Sequence, residues 1–291
     1  MNLELHSKMR ILITGAQGQL GQALQQALSG EDLVLKDLPD FDLSHADCES
    51  QIVEAHPSVI LHVGAYTNVD GAEREPERAM AVNAEGTTLV ARAAATLNAR
   101  LIYVSTDYVF DGSQRAPYRE EDVPHPINIY GQSKREGEIA ALAGCSDTLV
   151  VRTAWLYGHA GSNFVKTIMK LAAEKPFLDV VGDQRGCPTN ADDLAQALKD
   201  LAASDLRGIC HVTNRGDCTW HEFAEAIVSL MGLSIPVRPI RTEQMGRLAR
   251  RPPYSVLAQG RLDTVRAPLP LWKDSLARFM NANPRLASTS R

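Results

Sequence analysis

Cysteine pairs are missing from this sequence. Its five cysteines, Cys48, Cys145, Cys187, Cys210 and Cys218, are odd in number, scattered, and form no C-x-x-C. That pattern argues against both a disulfide framework and a zinc site and suits a reducing cytoplasm. Long apolar runs are missing as well. None approaches the roughly 20 residues of a membrane span, and residues 1–8 lack the h-region of a secretory signal, so a soluble cytoplasmic protein with no membrane partner is expected. Nor is there a basic excess: the formal net charge is -5, which leaves no electrostatic footprint for nucleic acid. The one basic cluster, Arg247, Arg250 and Arg251, reads either as a solvated loop or as a clamp for an anionic, phosphate-bearing ligand. Repeats, linkers and low-complexity segments are also lacking, although residues 281–291 look frayed.

What is present is enough apolar sequence for a full core. A chain of 291 residues with 44% hydrophobic content suits one large domain or one and a half. Residues 10–14 form a short apolar run entering a glycine loop, 19–28 have helical composition, and 33–36 make a second strand. A helix over 46–55 stops before Pro57. The buried-type strand 59–63, a long alanine-rich helix over 83–98 and the strand 101–105 follow. Alternating β and α with strands that lack polar alternation predicts a Rossmann-type, doubly wound parallel sheet covered on both faces. Residues 106–129 are too proline-rich for a helix and long for a connector, as functional loops tend to be. The alternation resumes with a helix over 130–143 and a strand over 149–152, then helices near 163–174, 191–203 and 220–231. Stretches 182–189, 207–217 and 247–260, rich in Gly, Pro and Arg, read as a smaller lobe folded over the sheet's edge. The expected division is a dinucleotide-binding core over 1–155, with later segments contributing, and a mainly substrate-binding lobe over 156–291, interleaved with it.

Gly15-x-x-Gly18-x-x-Gly21 lies between a predicted strand and a predicted helix, where a dinucleotide pyrophosphate site needs close backbone approach. The plainer reading is a tight βα connection. Asp37 closes the second strand roughly 20 positions on, where an acid binds the adenine ribose hydroxyls. A carboxylate there favours NADH by repelling a 2′-phosphate, but Lys36 beside it could answer that charge, and Asp37 could simply begin a turn. Tyr130 and Lys134 stand four apart, so a helix puts hydroxyl and ammonium on one face. Tyrosine ordinarily ionises near pH ~10, and Lys134 is placed to lower that value. Y-x-x-x-K alone is weak. Its context is stronger: Thr106 ends the preceding strand at its carboxyl edge, facing the crevice where open α/β sheets bind ligands, unless it merely caps the loop.

Several blocks in order carry a more specific signal: Ala65-Tyr66-Thr67-Asn68-Val69-Asp70, Ser105-Thr106-Asp107-Tyr108-Val109-Phe110-Asp111-Gly112, Arg152-Thr153-Ala154-Trp155-Leu156-Tyr157-Gly158, Asp183-Gln184-Arg185-Gly186-Cys187-Pro188-Thr189 and Arg251-Pro252-Pro253-Tyr254-Ser255. With the glycine loop and the Thr106, Tyr130, Lys134 triad, the chain resembles the dTDP-4-dehydrorhamnose reductases of the extended short-chain dehydrogenase/reductase superfamily over nearly its whole length. The resemblance implies that Gly18, Gln19 and Leu20 hold the pyrophosphate, that Asp42 and Leu43 lie near adenine, and that Gly64, Ala65 and Tyr66 line the cofactor. It implies substrate contact by Thr106, Asp107 and Trp155, although a lone tryptophan beyond a strand is as readily core filler. Its activity would be NADPH- or NADH-dependent reduction of dTDP-4-dehydro-β-L-rhamnose to dTDP-L-rhamnose, with a small-molecule nucleotide sugar as partner and a homodimer as assembly. Some relatives bind Mg2+ at a dimer interface through acidic residues, for which no equivalents are assignable here. His62-Val63-Gly64 departs from the Asn-Ala-Ala more usual in relatives, which bears on fine cofactor contacts. Two alternatives stand beside this reading. One is a nucleotide-sugar epimerase or dehydratase, against which Thr106-Asp107-Tyr108 lacks an adjacent glutamate. The other is a non-catalytic regulatory subunit similar to the methionine adenosyltransferase β subunit, against which Tyr130 and Lys134 are intact.

Overall fold

The computed structural model describes residues 8–282. Its frame is a six-stranded sheet made of β1 (Arg10–Thr14), β2 (Asp32–Lys36), β3 (Val59–His62), β4 (Arg100–Thr106), β5 (Thr148–Thr153) and β6 (Gly208–His211). All pairings are parallel and the order is β6-β5-β4-β3-β1-β2. The helices are α1 (Gln19–Ala27), α2 (Asp47–Ala55), α3 (Val69–Arg74), α4 (Pro76–Met80), α5 (Gly86–Leu97), α6 (Ile129–Gly144), α7 (Phe164–Glu174), α8 (Ala191–Ala202), α9 (Trp220–Leu230) and α10 (Trp272–Ala282).

Successive strand side chains point to opposite faces, and here both faces are covered. Ile11 and Ile13 of β1 pack into a core with α1 and α8, while Leu12 between them joins the core under α2, α5 and α6. A third core, around Tyr157, Phe223, Trp272 and Leu276, unites α7, α9 and α10 into the smaller lobe. Because β1 has β2 on one side and β3 on the other, chain direction across the sheet switches there. A crevice opens beyond the carboxyl ends of strands at such a switch.

Element ends agree with the expected ones to within a residue or two in most places, but three stretches differ. Gly208–His211, expected among the irregular parts of the lobe, is the sixth strand of the central sheet, paired with β5 from Gly208↔Leu149 to His211↔Arg152. Its glycine and histidine hid it: His211 is buried because Ala258 O lies 3.0 Å from its Nδ1 and Arg152 Nη1 lies 3.5 Å from its Nε2. The single helix expected over 83–98 is the later part of a π-turn at Ala81–Glu85 followed by α5, and it runs on from α4 before it. Asn281 and Ala282, expected frayed, complete α10, and residues 283–291 lie outside the described residues, as do residues 1–7 of the segment tested for a secretory signal. The loop expected over 106–129 spans 107–128 between β4 and α6, is non-helical apart from a 3-10 turn at Asp107–Val109, and is stitched to the 247–260 stretch by Tyr118 N–H donating to Val256 O at 2.8 Å. All five cysteines are buried and unpaired, and no helix among the described residues is long and apolar enough to cross a membrane.

Candidate active site

A cleft of about 680 Å³ crosses the carboxyl ends of the strands, and it is lined by the glycine-loop residues, by Asp37, Asp42, Leu43, Gly64, Ala65 and Tyr66, and by Thr106, Asp107, Tyr130, Lys134 and Trp155, but not by Lys36 or the Arg247, Arg250, Arg251 cluster. At one end lies the glycine loop. Gly15 has φ +67, a left-handed conformation that glycine adopts without strain, and a Cβ on it would sit 2.5 Å from Gly64 Cα in the loop after β3. A Cβ on Gly21 would strike the Gly15 carbonyl and lie 2.7 Å from Ala16 Cα, so α1 rests directly on the loop. Gly18 caps α1 without a side-chain acceptor, and Gln19 and Leu20 face the cleft. First-turn N–H groups of a helix left uncapped in this way form an anion site suited to a pyrophosphate.

Asp37 binds back onto the loop, accepting from Gln17 N–H at 2.7 Å and from Leu38 N–H at 2.8 Å. Lys36 turns the other way, donating to Gln51 Oε1 at 3.0 Å and lying 5.7 Å from the Phe41 ring centre. Asp42 is held below the usual carboxylate range by the hydroxyl and N–H of Ser44, and Leu43 packs near Gly64. Arg78, which the sequence did not single out, is a cation on this wall.

Behind the loop runs a buried polar chain. Thr87 Oγ1 donates to Asn83 O at 2.7 Å, so its lone pair must receive the proton of His62 Nε2, 3.0 Å away. His62 Nδ1 is then bare and accepts from Thr14 Oγ1 at 2.7 Å, while Thr14 Oγ1 accepts from Gly64 N–H at 3.1 Å. Desolvation pushes the His62 pKa down to about 3, in keeping with this neutral tautomer. Asn83, in the π-turn, accepts from Tyr66 N–H at 2.8 Å and donates to Tyr66 O at 3.0 Å and Ser133 Oγ at 2.9 Å. Ser133 in turn donates to Tyr130 O at 2.9 Å. Thus the sequence departure at His62 joins the glycine loop to the helix that carries Tyr130.

Asn128 starts that helix, its Oδ1 accepting from Gly131 N–H at 2.7 Å. Tyr130 and Lys134 share a face of α6 and look toward Thr106 at the end of β4. Burial pushes the Tyr130 pKa up to about 12, the Thr106 hydroxyl eases it down, and the Asp107 carboxylate adds to the rise. Lys134, expected to lower it, does not. Burial pushes Lys134 itself down to about 7, opposed by Glu138 one helical turn on, and its Nζ donates to Val104 O at 2.8 Å. Glu138 is fixed by Arg152 through contacts of 2.7 and 2.8 Å. Thr106 both caps and faces the cleft: its Oγ1 accepts from Tyr108 N–H and donates to Asp107 Oδ1 at 3.1 Å. Asp107 is 2% exposed, its Oδ2 has no partner, and desolvation pushes its pKa up to about 6.

The opposite wall belongs to the lobe. Trp155 lines the cleft just beyond β5 with φ +46. Asn163 donates to Gln19 Oε1 at 2.9 Å and so ties the lobe to the glycine loop. The arginine cluster is not arranged as a diphosphate clamp. Arg251 grips Asp70 through two contacts of 2.7 Å, Arg247 lies 3.7 Å from the same carboxylate, and Arg250 does not line the cleft. Ala249 N–H also donates to Asp70 at 3.0 Å, so this strap is fastened to α3. Among the described residues no cluster of three or more His, Cys, Asp or Glu side chains is arranged to hold a metal ion.

Comparison with known proteins bears on the same architecture. The family model described as RmlD substrate binding domain matches residues 9–284. A dTDP-4-dehydrorhamnose reductase of Sinorhizobium fredii (strain NBRC 101917 / NGR234) is 40% identical over 286 residues, covering 94% of this chain and 97% of its own. A crystal structure of dTDP-4-dehydrorhamnose reductase from Bacillus anthracis str. Ames in complex with NADP matches with TM-score 0.92 and 41% identity, over 94% of this chain and 99% of that one. A dTDP-4-dehydrorhamnose reductase from Clostridium acetobutylicum ATCC 824 matches with TM-score 0.91 and 37% identity, over 95% and 100%.

Proposed function

This chain belongs to the RmlD substrate binding domain family, and we propose on that premise that it reduces the 4-keto group of dTDP-4-dehydro-β-L-rhamnose to give dTDP-L-rhamnose, using NADPH or NADH. The observation that carries the reading is one continuous cleft with an uncapped helix N-terminus and a close-packed glycine loop at one end and Thr106, Tyr130 and Lys134 at the other.

The nicotinamide cofactor, when bound, supplies the hydride. This chain's residues bind and orient it. The first turn of α1 with Gly15, Gly18 and Gly21 suits the pyrophosphate, Asp37 the adenosine ribose, Asp42 and Leu43 the adenine end, and Gly64, Ala65 and Tyr66 the floor between. Tyr130 and Lys134 are the residues that would hold the nicotinamide ribose. Tyr130, raised to about 12, keeps its proton at neutral pH and is the donor to the C4 oxygen as negative charge develops there. Thr106 offers a second hydroxyl to that oxygen. Asp107, with one unpartnered oxygen, offers an acceptor to a neighbouring sugar hydroxyl. Lys134 contributes orientation and positive charge once Glu138 supports its protonated form. The same reading places the enzyme in the cytoplasm, in keeping with its free thiols.

The test is to follow NADPH and NADH oxidation with enzymatically prepared dTDP-4-keto-6-deoxy-L-mannose and with the free ketosugar. Steady stoichiometric oxidation with the nucleotide sugar, and very poor turnover of the free sugar, is expected because contacts remote from C4 align the reacting carbon. A changed sugar without net oxidation would instead mark an isomerase. Comparable kcat/KM for both sugars would mark a general carbonyl reductase.

A further inference from the structure

Trp155 is one of three non-glycine residues with positive φ, and the only bulky aromatic among them in the described residues. A side chain of that size in the left-handed region is held there by its surroundings, and such outliers gather at functional sites. The surroundings are specific. The Trp220 indole lies parallel to that of Trp155, with ring centres 3.5 Å apart and planes 6° apart. Gly186 closes on the same indole: a Cβ there would lie 2.6 Å from Trp155 Cε2 and Nε1.

Trp220 is itself anchored. Its Nε1–H donates to Gln184 Oε1 at 3.2 Å, Gln184 is buried and donates to Thr242 Oγ1 at 2.9 Å, and Thr242 donates to Asp183 at 2.6 Å. Phe164 packs on its ring with centres 4.5 Å apart. Trp220 also begins α9 directly after a Thr219–Glu222 capping box, which fixes its backbone. Trp155 lines the cleft and Trp220 does not. Trp155 Cα belongs to the end of the central sheet, whereas everything that fixes its ring belongs to the lobe.

We propose that Trp220, oriented by Gln184, is a positioning residue that sets substrate specificity by holding Trp155 in its left-handed conformation against the sugar side of the cleft. The proposal rests on the reading that Trp155 touches the sugar. With one indole face taken by Trp220, the cleft receives the remaining edge of Trp155 at a fixed depth. A change at Trp220 therefore alters the shape offered to the ketosugar without altering the dinucleotide end.

The experiment is a double-mutant cycle on the intact chain, Trp155→Ala, Trp220→Ala and the pair, with KM and kcat measured separately for the dTDP-ketosugar and for NADPH. Trp220→Ala is expected to raise KM for the ketosugar roughly 2- to 10-fold, the equivalent of one aromatic pair, with KM for NADPH unchanged. The double variant should be no worse than Trp155→Ala alone, because Trp220 acts through it. Trp220→Phe should recover most of the loss. Gln184→Met, which keeps the volume and removes the acceptor, should reproduce a smaller version of it and serves if Trp220→Ala fails to fold. Additive losses in the cycle, or Trp220→Ala and Gln184→Met matching wild type while Trp155→Ala raises KM, would overturn the proposal. An unaffected KM in Trp155→Ala would overturn the underlying substrate contact instead.

Discussion

On the cofactor side of the cleft, Thr14, His62, Thr87, Asn83 and Ser133 hold one another through neutral hydrogen bonds of 2.7–3.0 Å, each side chain buried. Away from that chain, the strap over 247–251 is fastened by the ion pair of Arg251, 7% exposed, with Asp70, 26% exposed, and residues 183–186 by Arg185 with Asp217 and Glu222 at the surface. Water and salt screen the second kind of contact and leave the first nearly untouched. A buried chain in which every donor has one assigned acceptor is also cooperative, since removing one member strands its neighbours. The cleft thus has one wall preorganised by the sheet, whereas the strap and the 183–186 segment, which do not line it, are held by contacts that can yield.

The largest effect is expected in the cleft itself. Tyr130→Phe removes the proton donor and keeps the ring, so turnover should fall by roughly 10² to 10⁴, while thermal stability and, with Lys134 still in place for the nicotinamide ribose, cofactor affinity should change far less. Near-normal turnover would remove Tyr130 from the chemistry. Next comes His62→Leu, which leaves Thr14 without its acceptor and Thr87 without its donor. A loss of about 1–3 kcal/mol in urea unfolding, insensitive to added NaCl, is the expected outcome. Asp70→Asn at the strap, which weakens a paired contact to an Arg251 only 7% exposed, should cost roughly 1–3 kcal/mol, and part of that cost should shrink as NaCl is raised because the carboxylate is 26% exposed. Equal salt dependence in the two variants would erase the distinction between the two kinds of contact.

Acid separates them further. His62 has its folded pKa depressed to about 3, while the unfolded chain takes up its proton near pH ~6.5. Between those values the unfolded state binds more protons, so this wall begins to lose stability as pH falls below about 6.5. Asp70 is held below the ordinary carboxylate range, first by the Arg251 hydrogen bonds. Its contribution is complete above about pH 4 and is lost only as pH falls toward the folded value. Melting temperature followed from pH 7 to pH 4 should therefore decline less in His62→Gln than in wild type, and in parallel with wild type in Asp70→Asn. The reverse pattern would contradict the assignment of a neutral His62.

What was legible in the sequence was local. The glycine loop, the i and i+4 pairing of Tyr130 with Lys134, and the strand ending at Thr106 depend on spacing within one or two elements, and the structure has them where spacing put them. Arg251 stayed open between a solvated loop and an anion clamp because its partner Asp70 is 181 residues away, and a basic cluster looks the same whether it awaits a ligand or is already paired. β6 was missed because its buried histidine is satisfied by groups from other segments. The sign of the Tyr130 shift went wrong for a related reason: spacing shows a lysine nearby, while desolvation, the larger effect here, depends on everything packed around the hydroxyl. His62 was visible as a departure, but its two threonine partners, 48 residues before it and 25 after, were not.

The smallest expected effect concerns cofactor choice. Both oxygens of Asp37 are occupied by the N–H groups of Gln17 and Leu38, so it shapes the glycine loop as well as presenting charge to the cleft. Lys36 is committed to Gln51 and the Phe41 ring, and so is not positioned to neutralise a 2′-phosphate beside Asp37. Removing the carboxylate removes a repulsion felt by NADPH alone and a ribose contact that NADH uses, whereas any loosening of the loop weakens both. Asp37→Ala should then raise KM for NADH and lower the NADH-to-NADPH ratio of kcat/KM by a few-fold, the scale of one exposed charge interaction. Asp37→Asn, which still accepts from Gln17 N–H, should shift the ratio while sparing more of the NADPH activity. If both cofactors change by the same factor in both variants, Asp37 is a loop fastener only, and discrimination falls to Arg78, the cation on the same wall.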